Sequence, residues 1–236
     1  MRDLKSRQRR FPVEKLPLVY LITARRTLGP TAHDLRSGLL TSFLERAFAS
    51  GIDLVQLREP DLSARDIFHL TKTVADLARQ YGCSVLINDR ADIAVACGTG
   101  VHLTTRSLRP AVVRAKFGNT LLIGVSTHNV REVEEARNAG ADFVVFGPVF
   151  ETESKKSYGP PVGLSSLEQV AGRFDIPVLA LGGVNEENFA QTLKAGAAGI
   201  AGISIFTESA DLPALVSKVK SAPKTSARPP LPAQSI

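Results

Sequence analysis

The feature that most constrains this chain is an alternation repeated eight times, in which a short β-branched apolar run is followed by a segment of helical apolar spacing. The runs are Leu18 to Thr23, Asp53 to Arg58, Ser84 to Asp89, Gly100 to Thr104, Leu121 to Ser126, Asp142 to Gly147, Pro177 to Gly182 and Gly199 to Ser204. Each is nearly all apolar, as a strand covered on both faces must be. The spacing predicts helices over Gly38 to Ser50, Ala64 to Arg79, Ala91 to Cys97, Pro110 to Phe117, Val130 to Ala139, Leu164 to Arg173, Glu186 to Ala195 and Leu212 to Val219. Ser63 and Asn129 stand at N-cap positions, and Gly82, Gly140 and Gly196 follow helices where a left-handed residue is favoured. Strands alternating with helices make a parallel sheet. Eight complete units suit an α/β fold of the (β/α)8 TIM-barrel type better than an open doubly wound sheet, although spacing alone leaves the second open.

A chain of 236 residues, 44% of them apolar, is enough for one such barrel. The formal charge of +6 suggests nucleic acid until it is located. Arg2, Lys5, Arg7, Arg9, Arg10, Lys15, Lys224 and Arg228 lie at the two ends against only Asp3 and Glu14, so Leu16 to Ser221 carries 21 positive and 21 negative side chains. A neutral body has no excess field for DNA, and we expect no nucleic-acid partner. Residues 1–16 read as a basic disordered arm, 17–220 as the barrel domain, and 221–236 as a disordered tail rich in Pro, Ala and Ser. The basic start runs into FPVEKLP and not the apolar core of a secretory signal. No stretch reaches the roughly 18 apolar residues needed to cross a bilayer. Cys83 and Cys97 have neither metal nor redox spacing. The expectation is a cytoplasmic protein with no membrane partner.

In a barrel of this kind chemistry sits at the carboxyl ends of the strands. The second run ends in Gln56, Arg58 and Glu59, the third in Asn88, Asp89 and Arg90. Arginines there suit phosphate oxygens, but the four charged groups Arg58, Glu59, Asp89 and Arg90 would equally form an ion-pair network that only closes the barrel top. The fifth run leads to His128, the one histidine at a strand-to-helix junction; His33, His69 and His102 read as structural. The loop after the sixth run is long and polar, and its Thr152, Ser154 and Lys155 suit an anionic group, unless the loop is simply solvated. Gly182 and Gly183 permit close backbone approach to a ligand beside Ser204, although a glycine pair also makes a tight turn.

Taken in order, QLRE, INDRADIA, GVSTH, VVFGPVFETESKK, PVLALGGV and AGAAGIAGISIF resemble the motif set of the thiamine-phosphate synthase and TenI family over about Leu18 to Phe206. In the synthase case the resemblance implies that Gln56, Arg58 and Asn88 contact a hydroxymethylpyrimidine diphosphate and that Asp89 holds Mg²⁺. It implies that Thr152, Ser154 and Lys155 reach the thiazole phosphate and the diphosphate, and that Gly183, Ile203 and Ser204 lie in the thiazole phosphate pocket, beside Gly182. A homodimer is the family expectation. Two departures stand out: Pro60 takes the place of a lysine after QLRE, and Ser107 that of a second acidic metal ligand. Those positions resemble TenI-type thiazole tautomerases, which shift a proton on a thiazole carboxylate phosphate without metal or other cofactor, and His128 matches their histidine. The sequence thus favours a tautomerase with His128 catalytic, over a synthase and over a non-catalytic thiazole-phosphate-binding regulator.

Overall fold

The computed structural model describes residues 11–35, 38–152 and 160–223. Eight parallel strands close into a barrel in chain order: β1 (Leu18–Ile22), β2 (Leu54–Leu57), β3 (Ser84–Asn88), β4 (Gly100–Leu103), β5 (Ile123–Thr127), β6 (Phe143–Phe146), β7 (Val178–Leu181) and β8 (Gly199–Gly202). β1 pairs with β8 through Leu18↔Gly199 to Leu21↔Gly202, so no strand edge is left open. The closed barrel is thus the outcome, not the open sheet. Around it run α1 (Leu39–Ala49), α2 (Ala64–Gln80), α3 (Ala91–Cys97), α4 (Pro110–Phe117), α5 (Val130–Asn138), α6 (Gly163–Arg173), α7 (Phe189–Lys194), α8 (Ser204–Thr207) and α9 (Leu212–Lys220). No helix among the described residues is long and apolar enough to cross a membrane.

Local chemistry explains most boundaries. Ser63 Oγ accepts from Asp66 N and Asn129 Oδ1 from Glu132 N, while Gly82, Gly140 and Gly196 have positive φ after their helices. Most boundaries move by one or two residues from the sequence reading, and two departures have a local cause or consequence. α7 starts three residues late because Asn185 Oδ1 accepts from the amides of Glu187 and Asn188, an Asx turn that occupies the expected first turn. Ser204, expected to end β8, opens α8.

Alternate residues of each strand divide between two apolar layers. Val19, Leu21, Val55, Leu57, Val85 and Ile87 face the helices, while Leu18, Tyr20, Leu54, Leu86, Phe143 and Leu179 fill the barrel. Interior volume is shared between large and absent side chains: a Cβ on Gly124 would stand 2.4 Å from Phe143 Cζ, and one on Gly100 2.9 Å from Leu86 Cγ. Phe11 extends the packed unit upstream of Pro17, because its ring lies 5.0 Å from that of Phe143 and is buried at the barrel floor. Val13–Lys15 follow as a single 3-10 turn, while residues 1–10 and 224–236 lie outside the described residues.

Two carboxylates pin the amino-terminal end of the cylinder. Asp53, just before β2, accepts from Val19 N of β1 at 2.9 Å and pairs with Lys220 of α9. Asp142, just before β6, repeats this four strands on, accepting from Ile123 N of β5 at 2.6 Å and pairing with Arg114 of α4. Burial raises the Asp142 carboxyl above its ordinary value, against the opposing pull of the Ile123 amide and Arg114. Replacing Asp53 by Ala strands an amide and a partly buried ammonium together. The expected loss is about 3 kcal/mol, larger than for Lys220→Met, with urea unfolding as the measurement; equal small losses from both variants would show that the carboxylate does not hold the strand.

Candidate functional site

The carboxyl ends of consecutive strands form one rim. Thr23 N donates to Gln56 O and Thr23 Oγ1 accepts from Arg58 N, joining the exits of β1 and β2. Asp89 N donates to His102 O between β3 and β4, and Gly147 N to Thr127 O between β5 and β6. Val149 N and Phe150 N donate to Leu181 O and Gly182 O, so the β6 loop runs on as an extension of the sheet beside β7. The turn Arg25–Leu28 packs on α8 and completes the ring at Ser204.

The charged groups near the rim do not form the self-contained network that would merely close the barrel top. Glu59 is taken by Arg25, whose Nη1 lies 2.9 Å from Glu59 Oε2 and whose backbone N donates to Glu59 Oε1. Arg25 also grips Asp61 with both terminal nitrogens, at 2.7 and 2.6 Å. The hydrogen bond from Arg25 is the main reason that the Asp61 carboxyl is held far below its usual value. Arg90 forks onto Asp92, at 2.9 and 2.6 Å, and lowers that carboxyl in the same way. Among the described residues Arg58 and Asp89 are left without an ion-pair partner, and both are exposed.

Asp89 has φ +59, the sole non-glycine residue of positive φ among those described. Left-handed backbone costs an L-residue roughly 1–2 kcal/mol, somewhat less for Asp, and this strained residue stands at the exit of β3.

Below these charges the barrel is polar where it meets the mouth. Gln56 on β2 is 2% exposed, and its Nε2 donates to Asn88 Oδ1 on β3 at 2.9 Å. Neither Gln56 Oε1 nor Asn88 Nδ2 is hydrogen-bonded to a described residue, so the pair keeps one free acceptor and one free donor. Tyr20 Oη and His102 Nδ1 are 3.1 Å apart, and His102 Nε2 is 2.9 Å from Ser126 Oγ. Burial raises the Tyr20 hydroxyl well above its usual value, so it stays protonated. His102, read as structural, does cross-link three strands, but it does so directly beneath the mouth. Sequence reasoning passed over Tyr20 and Ser126 as members of this floor; the inward alternation of GVHL and GVST was the signal available.

His128 stands at the β5 exit. Glu132 Oε2 accepts from His128 N at 2.7 Å and lies 3.0 Å from Nδ1, while Glu132 Oε1 accepts from Asn129 Nδ2. The N3 carboxylate thus reaches back past the Asn129 cap to the residue before it, and its contact with Nδ1 fixes the orientation of the ring. The ring is part-exposed and makes no described bond to the Gln56–Asn88 pair.

Gly182 and Gly183 have φ +94 and +65, and a Cβ on them would meet Pro148 Cβ and Glu151 O, each at 2.4 Å. Their conformational freedom therefore serves the seating of the β6 loop on the β7 exit. Thr152 is half-buried in that loop, and Ile203 and Ser204 follow β8 on the neighbouring arc. Ser154 and Lys155 lie outside the described residues. Pro60 is exposed, and Ser107 Oγ is engaged in its own turn, accepting from Thr104 N at 2.8 Å. Among the described residues no group of three His, Cys, Asp or Glu is placed to hold a metal. A cavity of about 720 Å³ runs between α4 and α5 and reaches the exits of β4 and β5, where Thr104, Ser107, Ser126 and Thr127 line it.

A family model described as thiamine monophosphate synthase matches residues 19–206. A Geobacter sulfurreducens protein provisionally named a thiamine-phosphate synthase is 45% identical over 187 residues, covering 79% of this chain and 84% of its own. A thiamine-phosphate synthase of Clostridium botulinum is 36% identical over 195 residues, 82% of this chain and 92% of the relative. Among solved structures, the thiamine phosphate pyrophosphorylase of Pyrococcus furiosus superposes with a TM-score of 0.76 at 30% identity, covering 89% of this chain and 96% of that one.

If the left-handed backbone at position 89 belongs to the native state, Asp89→Gly will be about 1 kcal/mol more stable than Asp89→Ala. Thermal or urea unfolding of the two variants checks this, and an alanine variant equal to or better than the glycine one would place residue 89 in ordinary backbone.

Proposed function

The chain belongs to the thiamine monophosphate synthase family, and from that premise we propose that it is a thiamine-phosphate synthase, joining hydroxymethylpyrimidine diphosphate to a thiazole phosphate with release of diphosphate. The names of the relatives support condensation over the tautomerase favoured from Pro60 and Ser107. The observation that carries the reading is the buried Gln56–Asn88 amide pair. Its open acceptor and donor, Gln56 Oε1 and Asn88 Nδ2, complement the amino group and ring nitrogen of an aminopyrimidine. A thiazole carboxylate needs no such edge.

In this reaction the pyrimidine methylene loses its diphosphate and the resulting cation is trapped by the thiazole nitrogen. The chain's task is to orient the two rings and to stabilise the charge that develops on the leaving group. Gln56 and Asn88 fix the pyrimidine plane. Arg58 offers a planar fork to the diphosphate. By family likeness, Thr152, Ser154 and Lys155 hold the phosphate groups from the β6 loop, and Gly182, Gly183, Ile203 and Ser204 line the thiazole phosphate side.

Asp89 fits Mg²⁺, because that ion is commonly held by one or two carboxylates together with substrate phosphates and needs no closed protein cage. Bound there, the ion would neutralise the leaving diphosphate. Ser107 supplies no second carboxylate, so metal affinity in the absence of substrate should be weak.

A second reading, thiazole tautomerase, is favoured by one observation, the Glu132 carboxylate on His128 Nδ1, which leaves Nε2 poised for proton transfer.

The purified chain, given both substrates, should release diphosphate in a reaction abolished by EDTA and restored by Mg²⁺. Gln56→Ala should lower kcat/KM about a hundredfold, the loss of two hydrogen bonds to a desolvated ring. No diphosphate at saturating substrates, with EDTA-insensitive isomerisation that vanishes in His128→Ala, would replace this reading by the tautomerase. Tight thiazole phosphate binding without turnover in either assay would replace both by a binding protein.

A further inference from the structure

We infer that Arg25 is a positioning residue, which sequesters the carboxylates of Glu59 and Asp61 and thereby keeps the Arg58 guanidinium available to the anionic substrate. The inference rests on the proposal that Arg58 faces a diphosphate, and it assigns a role to a residue that no motif singled out.

The chain places two carboxylates within three residues of Arg58 along the same loop, in the order Arg58, Glu59, Pro60, Asp61. An exposed arginine so placed would ordinarily fold back on one of them, and a guanidinium already paired offers an incoming phosphate little. In the folded protein neither carboxylate is available to it. Glu59 has a side chain only 2% exposed and lies under Arg25, receiving both its backbone N–H and its Nη1. Asp61 is held by two nitrogens of Arg25 at 2.7 and 2.6 Å and by Arg26 Nη2 at 2.9 Å. Two arginines against two carboxylates make the cluster neutral, so the positive charge at this arc of the rim belongs to Arg58.

The cost of this arrangement is visible in the buried guanidinium. Arg25 is 4% exposed, and its Nε has no partner among the described residues. A cation buried with one donor unsatisfied is expensive for a role that stability alone would require. Its backbone is committed as well, since the turn Arg25–Leu28 lies between the β2 exit and α8, so the cluster links Arg58 to the Ser204 side of the mouth.

The test is the binding of inorganic pyrophosphate, in the presence of Mg²⁺, by isothermal titration, which reports affinity and the competent fraction separately. Wild type should bind one equivalent. Arg58→Ala and R25M should each raise Kd about tenfold with the stoichiometry preserved. The triple variant R25M/E59Q/D61N, which removes the captors along with the clamp, should return to within about twofold of wild type. A clamp that acts only by shape predicts no such rescue. In case R25M fails to fold, E59Q/D61N alone decides the matter: with Arg25 kept and the carboxylates neutral, Kd should be unchanged or lower. Unaltered affinity in R25M, failure of the triple variant to recover, or a tenfold weaker E59Q/D61N each overturns the role of Arg25 while leaving the synthase reading intact. Absence of pyrophosphate binding by wild type overturns both.

Discussion

A closed ring of eight parallel strands has an interior of nearly fixed bore, and everything else in this molecule is arranged around filling it. Tyr20, Phe143 and His102 meet inside the ring, with ring centroids 5.7 to 6.3 Å apart, and they fit because Gly124 presents no side chain opposite Phe143 and His102, where a Cβ would stand 2.4 and 2.9 Å away. Leu18 O would lie 2.2 Å from a Cβ on Gly199, at the seam where the last strand meets the first. The barrel is thus sealed by apolar contact low down, with Phe11 at the floor, and becomes polar only at the level of Gln56, Asn88, His102 and Ser126. The proposed synthase reading calls for such a rigid polar base, since it requires two rings held in a reactive orientation.

Above that base the electrostatics depend on which charges are used up by neighbours. Eight ionisable groups crowd the exits of the first three strands, yet Arg25, Arg26, Glu59 and Asp61 satisfy one another, as do Arg90 and Asp92. Arg58 and Asp89 remain, one cation and one anion on adjacent strands. On the proposed synthase reading, such a pair would meet a substrate that brings both a diphosphate and a metal ion, the first drawn to the guanidinium and the second to the carboxylate. The same partition leaves local charge at the mouth on a body with no net charge.

The strands were legible because both faces of each are covered, which forces uninterrupted β-branched runs such as SVLIN and FVVF. Caps at Ser63 and Asn129 and left-handed glycines at 82, 140 and 196 were equally plain, since each reports a local backbone requirement. What could not be read was nonlocal. Arg25 lies 34 residues from Glu59, and nothing in RRTLG distinguishes a buried guanidinium from a solvated one. The glycine pair at 182 and 183 announced close approach correctly, but what approaches most closely is the loop of β6. His102 was discounted because it sits within a strand, whereas in a barrel an inward strand residue one step below the exit is part of the site floor. The sequence preference for a tautomerase rests on Pro60, Ser107 and the match of His128; the Gln56–Asn88 amide pair, on which the proposed synthase reading rests, needs β2 and β3 in register, with Gln56 beside Leu86.

The carboxylates of Asp53 and Asp142 stand half a circumference apart, each tying an amide at the start of one strand to the entry of the next. Rigidity is thereby concentrated at the end of the cylinder away from the chemistry. Loops at the opposite end inherit a foundation that does not depend on their own residues, which is why replacements such as Pro60 and Ser107 can accumulate without endangering the scaffold. Evolutionary change of substrate in such a molecule is a matter of rewriting the upper loops, while the lower ones act as the chain's memory of its architecture.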